Sequence, residues 1–305
     1  MTRAAVVVVN YNTSDVLRAC LATVPAGTET IVVDNASTDG SAAMVRTEFP
    51  DVRLLANAAN AGYGSAANQG IRACAAQYVL VLNSDTRLDD GALRTIEQYL
   101  DAHPEVALVG PRLRNGDGSL QPSCFPFPGT WAWLVENKPV APLLGRLSAA
   151  RERMLCFSPP ETAAPVPWVL GAVMGIRREP FEAVGGFDEA FFMYYEEVDL
   201  CRRLRRAGYD IHYVPDAGVV HLGAATTSQV REAMVVEHQR STLRYYRRYY
   251  RGPRRQAWLL IMRAKLAGRL VRDAAELAVA REAAQQERLR EDVNGWRRAL
   301  WLNDR

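Results

Sequence analysis

The first 83 residues alternate between short apolar runs and helix-like stretches, and this rhythm restricts the possible folds more than any other feature. Four runs, at residues 4–9, 30–33, 52–55 and 78–83, predict strands, and the first and last predict buried ones because they are continuous apolar runs rich in β-branched or large aliphatic residues. Residues that favour helix starts, Thr13–Asp15 and Ser37–Thr38, follow the first two runs. Strands that alternate with helices predict an α/β fold with a mostly parallel, Rossmann-like sheet flanked by helices.

The rest of the chain divides into a second part of this domain and a helical extension. The patterns predict helices at 89–102, 178–184 and from 196 to about 207, and strands at 106–109, 210–214 and 218–221. Residues 122–167 predict a long irregular loop with one helix near 144–154, and ordered structure resumes at 168–175. We expect a catalytic domain over 1–228, with acceptor-side loops at about 112–200, and a helical extension over 229–305.

Composition and charge narrow the class of protein. No apolar run is long enough to span a bilayer and no signal peptide is apparent, so we expect a cytoplasmic protein. Five scattered cysteines without a C-x-x-C pair predict reduced thiols. The segment from Arg240 onward has 17 basic and 7 acidic residues, whereas the net charge of the whole chain is only +3. The extension is therefore basic and the body acidic.

The apolar run at 78–82 ends abruptly in Asn83, Ser84 and Asp85. Open α/β sheets bind ligands at the carboxyl ends of their strands. Asn83 and Asp85 alternate, so as strand residues their side chains point the same way, where they can hold Mg²⁺ or Mn²⁺ with help from substrate phosphates. The alternative interpretation is an ordinary turn, since all three are common turn residues.

Two further loops also follow predicted strands. Asp34 can accept a hydrogen bond from the N3–H of a uracil or thymine base, or it can be a simple helix-start residue. Gly62–Ala67 matches the pattern G-x-G-x-x-A, but it follows the third strand rather than the first, so we reject a dinucleotide fingerprint. Its close glycines, with Asn60 and Asn68, instead predict a loop whose backbone approaches a ligand.

Glu196, Glu197 and Asp199 crowd three acids into four residues behind an aromatic run, Phe191–Tyr195. Like charges beside apolar rings raise at least one carboxylate pKa, which suits a general base, whereas the alternative is an ordinary acidic helix start. His221 ends an apolar strand, where it is either a metal ligand or a hydrogen-bonded core residue.

Taken together, these motifs are more specific than any one of them. In chain order they are Val7–Asn12, Asp34–Ser41, Asn60–Tyr63, Leu82–Asp85, Gly171–Ala172, Gly185–Asp188 and Tyr195–Cys201. Their order resembles glycosyltransferase family 2, in particular its bacterial rhamnosyltransferase-like branch, over roughly residues 4–225.

The resemblance implies a GT-A fold, an inverting mechanism, a divalent cation and a nucleoside-diphosphate sugar donor carrying dTDP or UDP. It implies that Asp34 binds the pyrimidine base of the donor. It also implies that Asn83 and Asp85 occupy the position of the family's Asp-x-Asp and that His221 is a metal ligand. Glu197 matches the family's catalytic Asp, with Glu196 as its acidic neighbour. The expected donor-binding residues are Asn10, Tyr11, Asn12, Asp34, Asn35, Asn60, Gly62, Tyr63, Asn68, Asn83, Ser84 and Asp85. The expected acceptor-binding residues are Trp168, Gly171, Ala172 and Tyr195.

The function that this resemblance implies is transfer of L-rhamnose from dTDP-rhamnose to a glycan or lipid-diphosphate-linked acceptor in cell-surface polysaccharide synthesis. The alternatives are a hexosyltransferase that uses a UDP-sugar, or a sugar-nucleotide-binding protein whose site has decayed, as Asn83 in place of an acid would suggest. A nucleotidyltransferase is disfavoured because the first loop has neither glycine nor charge. In the basic extension, Trp258, Leu259, Met262, Leu266 and Leu270 predict an apolar face that lies on an anionic membrane or packs on the body or a homodimer partner. We expect no nucleic acid partner.

Overall fold

A computed structural model describes residues 3–130, 159–223 and 231–302. The chain forms two compact units. One comprises Met1–Glu189 with Glu196–Gly223, and the other comprises Ala190–Tyr195 with Ala224–Arg305. The helix predicted near residues 144–154 lies outside the described residues.

The first unit begins with the predicted alternation of strands and helices. Its strands are β1 (Ala4–Asn10), β2 (Glu29–Asp34), β3 (Arg53–Ala56) and β4 (Tyr78–Asn83), and its helices are α1 (Ser14–Leu21), α2 (Ser41–Glu48) and α3 (Tyr63–Ala73). The four strands pair in parallel in the order β3–β2–β1–β4. Helix α3 packs closely on the sheet because Gly70 has no side chain; a Cβ there would overlap Val7.

The remaining elements of this unit extend the sheet. The strands are β5 (Thr86–Leu88), β6 (Val106–Arg114), β7 (Leu120–Gln121), β8 (Cys124–Phe125), β9 (Ala164–Pro165), β10 (Trp168–Val169), β11 (Val173–Arg177) and β12 (Asp210–His221). The helices are α4 (Ala92–Ala102), α5 (Arg178–Ala183) and α6 (Glu196–Arg206).

The main sheet continues from β4 in the order β4–β11–β6–β12–β5. Strand β11 runs antiparallel to both of its neighbours, β4 and β6, whereas β6 and β12 are parallel. The predicted fold class, α/β with a helix-flanked sheet and a helical C-terminal region, is confirmed. The sheet is parallel in its first half and mixed beyond β4, which an apolar run cannot reveal because burial does not fix strand direction.

The two strands predicted at 210–214 and 218–221 are a single strand, β12. Its pairing with β6 jumps from Val214–Pro111 to Gly218–Arg112, so residues 215–217 bulge out between consecutive partners. The sequence signal was real, but it marked a bulge and not a strand end. After the bulge, β12 pairs with β5, which places His221 opposite Thr86.

The second unit contains three helices, α7 (Arg231–Tyr249), α8 (Gly252–Val279) and α9 (Ala283–Leu300). Trp258, Leu259, Met262 and Leu266 are buried, which fits the alternative in which this side of α8 packs against protein. The indole of Trp258 lies 6.4 Å from the Tyr246 ring. Among the described helices, none has the length and apolar character needed to cross a bilayer.

The segment Ala190–Tyr195 groups with the helices of this second unit. Tyr194 and Tyr195 both have positive φ, +67° and +70°, which is uncommon for bulky residues. Their rings meet the imidazole of His238 edge-on, with centroids at 5.2 and 5.6 Å. Burial, with the positive charges of Arg269 and Lys265, lowers the pKa of His238 to about 4. His238 is therefore a neutral ring that packs between tyrosines.

Candidate active site

The structure brings Asp85 and His221 together at the end of β4. Asp85 Oδ1 lies 3.4 Å from His221 Nε2, and both side chains are buried. The backbone N–H of Leu222 donates to the Asp85 carbonyl at 3.0 Å, which ties the end of β12 to this loop. Asp85 and His221 are more than a hundred residues apart in the sequence, and the pairing of β5 with β12 brings them together.

Asn83 and Ser84 hold the same loop in place. The Asn83 N–H donates to the Ala172 carbonyl at 2.9 Å, and the Asn83 carbonyl accepts from the Thr86 hydroxyl at 2.7 Å. The Ser84 hydroxyl lies 2.7 Å from that of Thr13, which in turn donates to Asn10. The ends of β1, β4 and β11 therefore form one connected polar edge.

Glu196 and Glu197 open α6 and are 4% and 8% exposed. Burial, and then the charge of Glu197, raises the pKa of Glu196 well above its ordinary value. Its Oε2 has no hydrogen-bond partner among the described residues. A buried carboxyl with a raised pKa and an open oxygen can exchange a proton with a ligand at higher pH than an ordinary carboxyl can.

Tyr63 lies near both sets of carboxylates, Asp85 and the Glu196–Glu197 pair. Its hydroxyl donates to the Gly171 carbonyl at 2.6 Å, and a Cβ on Gly171 would meet three Glu197 side-chain atoms at 3.5 Å. Burial raises the pKa of the Tyr63 hydroxyl well above its usual range, and the charges of Glu196, Glu197 and Asp85 raise it further. The phenol is thus within electrostatic reach of Asp85 and of both glutamates.

The third acid of the cluster, Asp199, has a structural role. It is fully buried and accepts from Arg203 Nε at 2.7 Å. The same guanidinium donates to the carbonyls of Val184 and Gly186, at 2.7 and 2.6 Å. Asp199 therefore orients the arginine that anchors the loop after α5 to α6.

The loops after β1 and β2 meet around Asp34, which is 2% exposed. Its Oδ1 accepts from the Asn10 amide at 2.7 Å and from the Ser37 hydroxyl at 2.6 Å, and its Oδ2 accepts from the Ser37 N–H at 3.0 Å. A carboxylate offers about four acceptor positions. One position on Oδ2 remains for a ligand donor.

Amide side chains connect this site to the loop before α3. Asn35 donates to the Gly62 carbonyl at 3.1 Å and accepts from the Asn57 amide at 2.9 Å, while Asn60 Oδ1 accepts from the Gly62 N–H at 3.0 Å. Asn12, at φ +52°, accepts from the Thr38 N–H at 2.7 Å. Tyr11 is half-buried beside them in sequence. These donor-site candidates lie on adjoining strand ends.

Asn68 does not join that group. Its amide donates to the Phe187 carbonyl and accepts from the Phe187 N–H, at 2.9 and 3.0 Å, and it also donates to Glu189 at 2.9 Å. Both of its polar atoms are thus used to hold the loop at 187–189 against α3. The structure gives Asn68 a supporting position, not one facing the strand ends.

The acceptor-side candidates separate in the structure. Gly171 and Ala172 lie at the site, next to Glu197 and Asn83 respectively. Trp168 stacks on Phe125, with centroids 4.9 Å apart, and its indole N–H donates to the Pro126 carbonyl at 2.9 Å. Tyr195 belongs to the second unit, where its ring contacts His238 and Tyr245.

Sequence reasoning missed Gln121, whose Oε1 lies 2.7 Å from His221 Nδ1. It also missed Ser37 as a partner of Asp34 and Thr13 as a partner of Asn10. Ser37 could have been found, because a serine three residues after a strand-end aspartate often closes such a turn. Gln121 carried no signal, since its partner is 100 residues away.

Comparison with known proteins identifies relatives of this chain. The model of "glycosyltransferase like family 2" matches residues 2–242. An N-acetylglucosaminyl-diphospho-decaprenol L-rhamnosyltransferase from Mycobacterium tuberculosis is 34% identical over 257 residues, which cover 78% of this chain and 81% of that protein. The low-salt glycan biosynthesis hexosyltransferase Agl10 from Haloferax volcanii is 27% identical over 222 residues, covering 71% and 66% of the two chains.

Among solved structures, a mannosyltransferase from Pyrobaculum calidifontis, in complex with GDP-Man and Mn²⁺, superposes with a TM-score of 0.56 at 19% identity. The superposition covers 98% of this chain and 87% of that one. It shows a shared GT-A fold. The family match and the relative from M. tuberculosis, together with this fold, show that the chain is a glycosyltransferase and belongs to glycosyltransferase family 2.

Proposed function

We propose that this glycosyltransferase moves L-rhamnose from dTDP-rhamnose to a hydroxyl of a lipid-diphosphate-linked glycan, with inversion at the anomeric carbon. One observation carries the proposal: Gly171 lies against Glu197, and its neighbour Ala172 accepts from the Asn83 N–H at the end of β4, two residues before Asp85. An inverting transfer needs positive charge at the leaving diphosphate and a base near the acceptor hydroxyl. Asp85, with His221, would hold the cation that supplies the first, and a glutamate of α6 would be the second.

The nucleotide base would bind at Asp34. The remaining acceptor position on its Oδ2 suits the N3–H of thymine or uracil, whereas cytosine has no such donor. The hydrogen bonds from Asn10 and Ser37 would hold the carboxylate in one orientation for this contact. Asp34 therefore fits dTDP or UDP better than a cytidine nucleotide, and the rhamnosyltransferase from M. tuberculosis supports rhamnose as the sugar.

The Asp85–His221 pair fits a divalent cation. In the part of the chain that the structure describes, no three His, Cys, Asp or Glu side chains cluster as a metal site, so this pair would need oxygens from the donor diphosphate to complete coordination. Imidazole is a softer ligand than oxygen, which favours Mn²⁺ over Mg²⁺ here. The bound cation would neutralise charge on the leaving diphosphate. The Mn²⁺ named in the mannosyltransferase complex supports this assignment.

Glu197 is the proposed base, because it matches the position of the family's catalytic Asp and its side chain lies against Gly171. It would take the proton of the acceptor hydroxyl as that oxygen bonds to the anomeric carbon. The bond from this carbon to the diphosphate oxygen breaks, and its electron pair leaves with the diphosphate. Glu196 has a raised pKa, so it would remain protonated beside Glu197 and limit the negative charge at the site.

The decayed-site alternative has less support. Only Asn83 argues for it, whereas Asp85, His221 and both glutamates are brought to one edge of the sheet. A UDP-hexose donor stays the second candidate, because Asp34 does not distinguish uracil from thymine. The hexosyltransferase from H. volcanii is the relative that favours it. Peripheral membrane contact and a homodimer stay predictions.

Calorimetry with dTDP, UDP, GDP and CMP, with and without Mn²⁺, tests the donor assignment. We expect Mn²⁺-dependent binding of dTDP that D85A weakens at least tenfold, while D90A, which removes an exposed carboxylate five residues on, has little effect. Transfer from dTDP-rhamnose to a prenyl-diphosphate-linked N-acetylglucosamine is then measured for wild type, E197Q and E196Q. Absence of binding by every nucleotide would refute the site. Transfer that is lost in E196Q but kept in E197Q would reassign the base to Glu196.

A further inference from the structure

Gln121 joins His221 to a turn at residues 115–119. Its Oε1 lies 2.7 Å from His221 Nδ1, and its Nε2 donates to Asn115 Oδ1 at 2.9 Å. Nε2 also approaches the His221 carbonyl at 3.5 Å. Because Gln121 ends β7, which pairs with β6, the sheet fixes its backbone while its side chain reaches the imidazole.

Gln121, Asn115, Ser119 and Asp117 form a series of hydrogen bonds, and the direction of each bond follows from the last residue, Asp117. Asp117 Oδ1 can only accept, so the Ser119 hydroxyl, 2.6 Å away, donates to it. Ser119 Oγ then accepts from Asn115 Nδ2 at 2.8 Å, which leaves Asn115 Oδ1 to accept from Gln121 Nε2. Because Asp117 can only accept, it determines the orientation of the Asn115 and Gln121 side-chain amides.

This orientation fixes the tautomer of His221. Gln121 presents its carbonyl oxygen to Nδ1, so Nδ1 must carry the proton. In the neutral ring Nε2 then has a lone pair, and it faces Asp85 Oδ1 at 3.4 Å. Two acceptors that face each other in a buried site repel unless a cation lies between them or the ring is protonated.

We propose that Gln121 is a positioning residue that holds His221 in the Nδ1–H tautomer, with Nε2 directed at the cation beside Asp85. The cation itself rests on the proposed function, whereas the tautomer does not. Partners of the second nitrogen of a metal-binding histidine commonly change metal affinity by about 10- to 100-fold when they are removed. Gln121 performs this role through a neutral amide, so it orients the imidazole without adding negative charge.

The tautomer can be read directly from ¹⁵N–¹H spectra of the imidazoles in metal-free protein, recorded at about pH 9, well above the ordinary pKa of an imidazole. The chain has four histidines, so the His221 signal is assigned by its loss in H221A. The variants are Q121M, which removes both polar atoms at similar size, and Q121E, which keeps an acceptor for Nδ1–H. Q98M, on the exposed side of α4, is the matched control. Thermal unfolding checks that each variant is folded.

We expect a pure Nδ1–H tautomer in wild type, Q121E and Q98M, and loss of that tautomer in Q121M. A distant variant, S119A, should loosen the Gln121 amide and give a mixture of tautomers. A wild-type ring protonated on Nε2, or a Q121M ring that keeps the Nδ1–H tautomer, would overturn the proposal.

Mn²⁺ affinity in the presence of dTDP, followed by the free Mn²⁺ signal in electron paramagnetic resonance, supplies the second readout. Q121M should weaken it about 10- to 100-fold and Q121E should restore it. If wild type bound no Mn²⁺ while the tautomers behaved as expected, the metal assignment would fail and the positioning role of Gln121 would stand.

Discussion

Replacing Glu196 by glutamine should make the protein more stable, and increasingly so as pH rises. The side chain is 4% exposed, and burial with the charge of Glu197 raises its pKa well above the ordinary value of a glutamate. The unfolded chain loses this proton near pH 4.5, whereas the folded chain keeps it to higher pH. Between those two pKa values the folded state binds more protons, so wild type loses stability with rising pH by up to about 1.4 kcal/mol per pH unit.

E196Q carries no titrating proton and escapes that loss. Its advantage over wild type should be absent below about pH 4.5, grow through the window between the two pKa values, and stay constant above it. Urea unfolding of metal-free protein from about pH 5 to pH 9 measures the gap, and E161Q, in an exposed loop, controls for the change in net charge. A gap that is flat with pH, or one that shrinks as pH rises, would refute the burial argument.

Two further substitutions test the packing that supports the site. G70A should destabilise the protein by about 1–3 kcal/mol, because the added Cβ would overlap Val7 under α3. G268A, at an open helical position, is the control and should be neutral or stabilise the protein by up to about 1 kcal/mol. Urea unfolding compares the two variants. R203M should cost about 3–5 kcal/mol and lower transferase activity, because it removes an ionic partner of the fully buried Asp199 and releases the loop at 184–186; R203K should recover only part of both losses.

The sequence predicted the first half of the fold well for a physical reason. β1, β2 and β4 are short apolar runs that end in Asn10, Asp34 and Asn83, so the run and its polar end can both be read locally. Asp85 was predicted from the polar end of β4, and Glu196 and Glu197 from the crowding of acids at a helix start; their roles stay predictions. What could not be read was pairing at a distance: the antiparallel direction of β11, the bulge in β12 and the contact of Gln121 with His221 all depend on partners far away in the chain.

The sequence left two interpretations of α8 open for a related reason. Trp258, Met262 and Leu266 recur at helical spacing, and that spacing shows only that one side of the helix is apolar. A bilayer and a neighbouring helix satisfy such a side equally well. Burial of these residues favours packing against protein, and membrane contact stays a prediction.

The insertion of β11 beside β4 has a consequence for biosynthesis. β4 ends at Asn83 and β11 begins at Val173, so on the ribosome about 5–20 s of synthesis separate the two strands. During that interval the nascent chain carries an apolar strand with one unpaired edge, which invites pairing with another chain. The order of synthesis thus leaves the lateral edge of β4 unpaired until β11 has been made, and a chaperone that covers apolar strands would act there.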